Sequence, residues 1–222
     1  MLQTHFVDAR TVRPLVLGIA GVAGSGKDTF FQCLKRHLDI KRYSFGDILK
    51  EEVKDECLEK FNIDPTNCNR EEKGKIRDFL VEYGKEKRKA SDGRYFVDRL
   101  SHKIKTEGFD NKNICITDVR YADYDHDETY FIQKELKGFL VYVKKHKFSL
   151  DGQSMTESAP ANEEEERNDP KLKKAYDYIV DWEHVYGSSE LEIQNLLNFH
   201  VTNFMICLER DLKAKKIKIS LH

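Results

Sequence analysis

The residues with the clearest chemical potential lie near the amino terminus, in the run Gly21-Val22-Ala23-Gly24-Ser25-Gly26-Lys27-Asp28-Thr29. Glycines at positions 24 and 26 allow positive φ and a close approach of backbone to ligand. Their neighbours' N–H groups form a nest for phosphate oxygens at the positive end of the following helix. Lys27 then supplies a point charge for the β- and γ-phosphates of a nucleoside triphosphate. Ser25, Asp28 and Thr29 complete this loop. The pattern departs from its usual form at one position: the residue after the lysine is Asp28 rather than Ser or Thr, with Thr29 one place later. A carboxylate beside a phosphate-binding lysine needs a cation or a donor to compensate it. Asp28 is therefore read either as a residue that orients Mg²⁺ or its waters, or as an acid stabilising the helix N-terminus.

Further along, Ile114-Cys115-Ile116-Thr117 ends at Asp118, and Arg120 follows two residues later. A carboxylate at the end of a core strand beside such a loop is placed to bind Mg²⁺ through water. A cap on the next helix is the competing reading. Arg120 has the planar fork that clamps a phosphate, against the plainer role of a surface ion pair. In Ser44-Phe45-Gly46-Asp47-Ile48-Leu49-Lys50 the serine and backbone amides open onto the same sheet edge and Lys50 can neutralise an acceptor phosphate, although by composition alone this is an ordinary strand-to-helix turn. The histidines form no HExxH or other metal-ligating pattern. Lys144, Lys145, His146 and Lys147 make a basic cluster that can attract nucleotide phosphates or simply be solvated.

These groups need a scaffold, and the hydrophobic pattern predicts one. Leu15 to Ala20 is a short apolar run, followed by Phe30, Phe31, Leu34 and Leu38 at helical spacing. Ile40 to Phe45 leads in the same way into Ile48, Leu49, Val53 and Leu58. Asp64 to Lys89 is polar and basic with helical stretches, Tyr95 to Lys105 reads as a helix, and together they would cover an acceptor pocket. Ile114 to Thr117 and Phe139 to Val143 are further strands, Tyr178 to Val180 one more, and the apolar residues between Leu191 and Leu208 would pack a long final helix. Strands alternating with helices predict an α/β domain with a parallel sheet. Lys144 to Pro170 carries no apolar periodicity and reads as a mobile loop or lid, with the acidic run Glu163 to Glu166 as solvated surface.

Length and composition set outer bounds. The 222 residues suit one α/β domain with an inserted helical region at about 44–107 and a lid at about 144–170. Lys plus Arg number 38 and Asp plus Glu 39, a net charge of -1 that excludes a global field for nucleic acid or anionic lipid. The five cysteines lack a CxxC pair and read as reduced, mostly buried thiols. With no basic segment leading into an apolar run at the amino terminus, and no apolar stretch long enough to cross a bilayer, a cytoplasmic protein without membrane partners is expected. The sequence leaves oligomeric state open, a homodimer included.

Taken together, these motifs resemble the nucleoside monophosphate kinase superfamily, and within it the viral-type deoxynucleoside monophosphate kinases, over roughly residues 15 to 185. Gly24 to Thr29 read GSGKDT as that family's loop does, Ser44 to Lys50 resembles its acceptor-side turn, and Ile116 to Arg120 its strand ending in Asp-x-Arg. Thr156-Glu157-Ser158 is similar to a lid-proximal segment, and Asp177 to Val180 to a late strand. The resemblance implies a P-loop three-layer α/β/α sandwich with an acceptor-binding helical region and a lid. It further implies ATP and Mg²⁺ as cofactors and a small nucleotide as acceptor. Lys27, Asp28 and Arg120 would be catalytic and would handle phosphates, with Asp118 and Asp28 at the metal. Ser44, Lys50, Arg77, Arg120 and Glu157 would bind the acceptor. Phosphomevalonate kinases of the animal type and dephospho-CoA kinases share the layout. A nucleotide-dependent switch is the alternative of another class, although the chain lacks a DxxG after the Asp118 strand, and Asn111-Lys112-Asn113 falls short of NKxD.

Overall fold

Side chains from Leu15 to Ala20 divide by parity: Leu15, Leu17 and Ile19 enter one buried cluster, Val16 and Ala20 another. A strand buried on both faces belongs in a parallel sheet covered by helices on each side. The computed structural model, which describes residues 12–108, 112–148, 155–184, 189–214 and 218–220, has this arrangement. Its elements begin with β1 (Val12–Pro14), β2 (Val16–Ala20), α1 (Lys27–Leu34), β3 (Lys41–Ser44), α2 (Phe45–Glu52), α3 (Lys54–Phe61), α4 (Arg70–Ala90) and α5 (Tyr95–Thr106). Then come β4 (Ile114–Val119), α6 (Glu128–Tyr130) continuing as a π-helical turn (Phe131–Glu135), β5 (Phe139–Phe148) and β6 (Met155–Glu157). The chain proceeds through α7 (Glu163–Ala175), β7 (Tyr178–Glu183), α8 (Glu190–Ala214) and β8 (Lys218–Ser220).

The main sheet runs β3-β4-β2-β5-β7, all parallel. Beyond the end of β2, the same edge of β5 pairs antiparallel with β6. A separate parallel pair joins β1 to β8. On one face α1 and α8 pack through Phe30, Phe31, Leu34, Leu197, Val201 and Phe204; on the other, α2, α5 and the π-helical turn pack through Phe45, Ile48, Phe96, Leu100 and Phe131. Gly18 permits that second approach, since a Cβ there would lie 2.6 Å from Ile132 Cδ1. The expected three-layer α/β/α sandwich is present.

The helices α2, α3 and α4 enclose a smaller cluster of their own: Val53, Cys57, Ile63, Ile76 and Leu80. Asp64 to Asn69, polar and without helical pattern, shapes this region locally. Asp64 Oδ1 accepts from the Thr66 N–H (2.9 Å), and Asn69 and Glu72 form a reciprocal capping box on α4.

Lys144 to Pro170 differs from its expected loop. Its first residues extend β5, β6 follows, and α7 begins at Glu163; residues 149–154 of the expected lid lie outside the described residues. The α7 helix does have a buried stripe at helical spacing, but it reads Glu165, Asn168, Asp169, Leu172. Three of its four members are polar, so an apolar pattern could not reveal it. Glu165 is buried, in contrast to the solvated surface expected for the acidic run.

One buried amide ties the strand starts together. Asn113 Oδ1 accepts from the Leu15 N–H (2.8 Å), its Nδ2 donates to the Asp39 carbonyl (3.3 Å), and its own carbonyl accepts from Lys41 N (2.9 Å). Asn113→Ala removes the side-chain partners and leaves the Leu15 N–H unpaired. Thermal unfolding of this variant should show a loss of about 2 kcal/mol, or roughly 4–8 °C in Tm for a domain of this size. A Tm within 1 °C or so of wild type would assign Asn113 no such role.

Candidate phosphate-handling site

The loop from Gly21 to Lys27 joins β2 to α1 at the carboxyl edge of the sheet. Gly24 (φ 75°) and Gly26 (φ 95°) are in the left-handed region. A Cβ at Gly26 would also meet the Trp182 ring at 2.8 Å, and the indole N–H donates to the Ser25 carbonyl (2.8 Å). Trp182, on β7, thus braces the loop from beneath. The Ser25 hydroxyl is buried without a hydrogen-bond partner among the described residues. Lys27 is folded back, its Nζ donating to the carbonyls of Gly21 (2.6 Å) and Val22 (2.8 Å). Burial, aided by the charge of Arg120, lowers its pKa to about 8 against the opposing pull of Asp118, Glu165 and Asp28.

Asp118 owes its position to a bulge. Gly18 pairs with Ile116 but Ala20 with Val119, so β4 carries one residue more than β2 over this span. Asp118 takes up the extra residue with φ 62°, a strained conformation for a non-glycine residue. The bulge turns its carboxylate toward the first turn of α2, where a Cβ on Gly46 would lie 3.0 Å from Oδ2. Ser44, the N-cap of α2, accepts from Asp47 N and donates to Asp118 Oδ2 (3.2 Å). Burial would raise the carboxyl's pKa, but the charges of Arg120 and Lys27 and the hydrogen bonds from Arg120 and Ser44 hold it at about 2.

Arg120 lies between two carboxylates, with Nη2 donating to Asp118 (3.3 Å) and Nη1 to Glu165 Oε1 (2.9 Å). Glu165 Oε2 accepts in turn from the loop N–H of Ala23 (3.1 Å) and from Ala161 N (3.0 Å). The α7 helix is fixed here by Asn168, which bonds Ala122 N and Asp123, while Arg167 and Lys171 also pair with Asp123.

Between Ala23 and α4 lies a cavity of about 160 Å³. Phe45, Leu49, Leu80, Val81 and Tyr121 give it an apolar wall, and Lys50, Lys73, Arg77, Arg88 and Arg120 a cationic one. Lys73, Arg77, Gly84 and Arg88 recur along one face of α4. Gly84 leaves room for the buried Arg88, since a Cβ there would lie 2.8 Å from its guanidinium. That guanidinium stacks over Tyr121 (3.7 Å) and pairs with buried Glu128 (3.1 Å), whose other oxygen accepts from Arg120 N (2.8 Å).

The structure therefore gathers Lys27, Asp118, Arg120, Lys50 and Arg77 around one crevice. Ser44 stands behind Asp118 and does not line the cavity. Asp28 is exposed in the first turn of α1, near enough to Lys27 and Arg42 to act on their charges; Thr29 follows it on that helix. Glu157 is elsewhere, on β6, paired with Lys144 (2.7 Å). Sequence patterns alone do not single out Glu165, Arg88, Lys73, Tyr121 or Trp182. The i, i+4 basic spacing on α4 is the one available signal for Lys73.

The cradle suits the phosphates of ATP, given an orphaned buried hydroxyl, two left-handed glycines and a buried lysine. Asp118, held ionised, is a hard oxygen donor suited to Mg²⁺. No group of three or more His, Cys, Asp or Glu side chains fit for a metal occurs among the described residues. One or two carboxylates beside nucleotide phosphates are the donors that Mg²⁺ ordinarily takes.

The family model described as an AAA domain matches residues 20–131, and the chain belongs to that family. With the sheet and the loop, this match identifies a P-loop protein. No curated protein matches the sequence. Among solved structures, dephospho-CoA kinase from Campylobacter jejuni is similar at 14% identity and TM-score 0.46, with 88% of this chain and 98% of that one covered. Shikimate kinase from Bacteroides thetaiotaomicron matches at 16% identity and TM-score 0.45, with the same shares covered. Shikimate kinase from Aquifex aeolicus matches at 15% and 0.40, over 89% and 98%.

An anion that replaced the Gly21 and Val22 carbonyls as partner of Lys27 would favour its charged form. Above pH 8 the free protein has lost that proton and must regain it on binding. Affinity for ADP should therefore be level near pH 7 and weaken toward pH 9.5, by up to about tenfold per pH unit. Calorimetry at pH 8.5 in buffers of different ionisation heat should record proton uptake that Lys27→Met abolishes. Equal heats in both buffers would contradict the assignment.

Proposed function

We propose that this protein transfers the γ-phosphate of ATP to a phosphorylated small molecule, a nucleoside or deoxynucleoside monophosphate. The observation that supports this most is the shared boundary of the two sites: Ala23 belongs to the phosphate loop and also lines the cavity edged by Lys50, Lys73, Arg77, Arg88 and Arg120. A monophosphate placed among those cations has its oxygens directed toward the loop. The apolar wall, with the stacked Arg88–Tyr121 pair, suits a planar body behind the phosphate.

In this reading the loop amides and Lys27 hold the donor's phosphates, while Arg120 orients the transferring or accepting group through its fork. The acceptor oxygen is already ionised, so catalysis comes from alignment and charge neutralisation rather than from a general base. Asp118 and Asp28 are the residues that would hold Mg²⁺, which when bound neutralises charge between the phosphates.

The test is ADP release with each common NMP and dNMP in turn, together with phosphomevalonate and dephospho-CoA. Turnover with one or more nucleotides is expected. Activity only with another phosphorylated acceptor would replace the substrate class, and binding without turnover would favour a switch. Lys27→Ala should cost on the order of 10²-fold or more in kcat with the fold retained. Near wild-type turnover would remove Lys27 from the site.

Asp28 offers a sharper test. If it orients the metal or its waters, Asp28→Asn should lower kcat and raise the Mg²⁺ concentration for half-maximal rate. If it stabilises the α1 N-terminus, the change costs roughly 0.3–1 kcal/mol of stability and almost no rate. We favour the metal role; superimposable Mg²⁺ titrations with equal kcat would overturn it.

A further inference from the structure

We propose that Glu165 is an internal anion that occupies the acceptor-phosphate position between Ala23 and Arg120 and must be displaced before a phosphorylated acceptor can bind. The inference rests on the phosphate-acceptor reading of the cavity. A glutamate in the first turn of a helix ordinarily satisfies backbone donors at its own end. One oxygen of Glu165 does so at Ala161 N, but the side chain goes further, reaching the Ala23 N–H at 3.1 Å and the Arg120 guanidinium at 2.9 Å. Those two donors come from distant parts of the chain, and both line the cavity with Glu165 itself. A backbone amide and a guanidinium N–H converging on one anion is an arrangement that can recognise a phosphate. Here a carboxylate fills it.

The position of the carboxylate is tied to the docking of its helix. Asn168, Arg167 and Lys171 anchor α7 to Asp123 and the backbone at Ala122, so Glu165 cannot leave without a rotamer change or a shift of the helix. A phosphate monoester dianion, with more charge and three oxygens, competes successfully; its observed dissociation constant is the intrinsic one divided by the fraction of protein in which Glu165 has withdrawn. A neutral acceptor body lacking phosphate has nothing to exchange for these bonds. Glu165 thus acts through Arg120 as a specificity and positioning residue for phosphorylated acceptors.

Calorimetric titration of the nucleotide-free full chain with inorganic phosphate tests this without requiring turnover. Glu165→Gln keeps the shape and an oxygen for Ala23 N but removes the charge from Arg120; its phosphate Kd should fall about tenfold. Glu165→Asp keeps the charge in the first turn of α7 but retracts it by one methylene, and should also tighten binding, which preserves the test should the Gln variant fold poorly. Arg120→Gln should lose the response. Unchanged or weaker phosphate binding in folded Glu165→Gln or Glu165→Asp overturns the proposal. Failure of every acceptor in the ADP-release panel, with tighter phosphate binding in these variants, would retain the internal anion and reject the nucleotide reading.

Discussion

Arg120 held between Asp118 and Glu165 is the interaction on which the rest of this site depends. Glu165 is buried while Arg120 and Asp118 are half-buried, and a buried carboxylate without a cationic partner is costly. Several charges in the crevice have partners: Lys27 has two carbonyls, Arg88 has Glu128, and Asp118 has Arg120 and Ser44. In the proposed reading, a phosphate would enter this site by replacing one of these partners with another. Association by exchange makes binding sensitive to charge number and geometry, which favours dianionic phosphate over other small anions.

The backbone sets where these exchanges can occur. The Asp118 bulge, with its left-handed residue, carries the carboxylate out of the alternation of β4 and into the crevice. Glu128 fixes the chain just beyond the bulge by accepting from the backbone N–H groups of both Arg120 and Tyr121. Burial pushes its carboxyl pKa up while the Arg88 guanidinium opposes the shift. The same glutamate thus sets the path of the Arg120 backbone and holds the cation on α4, linking the turn after β4 to α4.

This division explains which features are legible in the sequence. Strands and helices of the sandwich announce themselves because their buried faces are apolar: Leu17 and Ile19 on β2, Phe30, Phe31 and Leu34 on α1. The phosphate loop is legible because glycine spacing and a lysine are local requirements. Glu165 and Arg88 are hidden, since each is buried through partners remote in sequence, and a charged residue read locally looks like solvated surface. Asp118 is legible as a strand-end carboxylate, but the bulge that aims it arises from pairing with β2. Glu157 shows the opposite case: its local pattern resembles a lid segment, while its observed partners are Lys144 and Lys173 on the outer arm of β5 and on α7.

The helices α7 and α8 are attached to the sheet by different forces, with a mechanical consequence. The buried stripe of α8, through Leu197, Val201, Phe204, Leu208 and Leu212, gives stabilisation proportional to apolar area and indifferent to charge. That of α7 has Leu172 as its one apolar member, and its docking rests on Glu165, Asn168 and the ion pairs to Asp123. Partly exposed ion pairs of this kind contribute little each and are weakened by competing charge. Under the proposed exchange an incoming phosphate would act directly on α7, because it would compete for the Ala23 and Arg120 donors that Glu165 uses. In the proposed reading, the helix that reaches the phosphate loop through Glu165 is thus the one whose attachment would respond to what the loop and Arg120 bind.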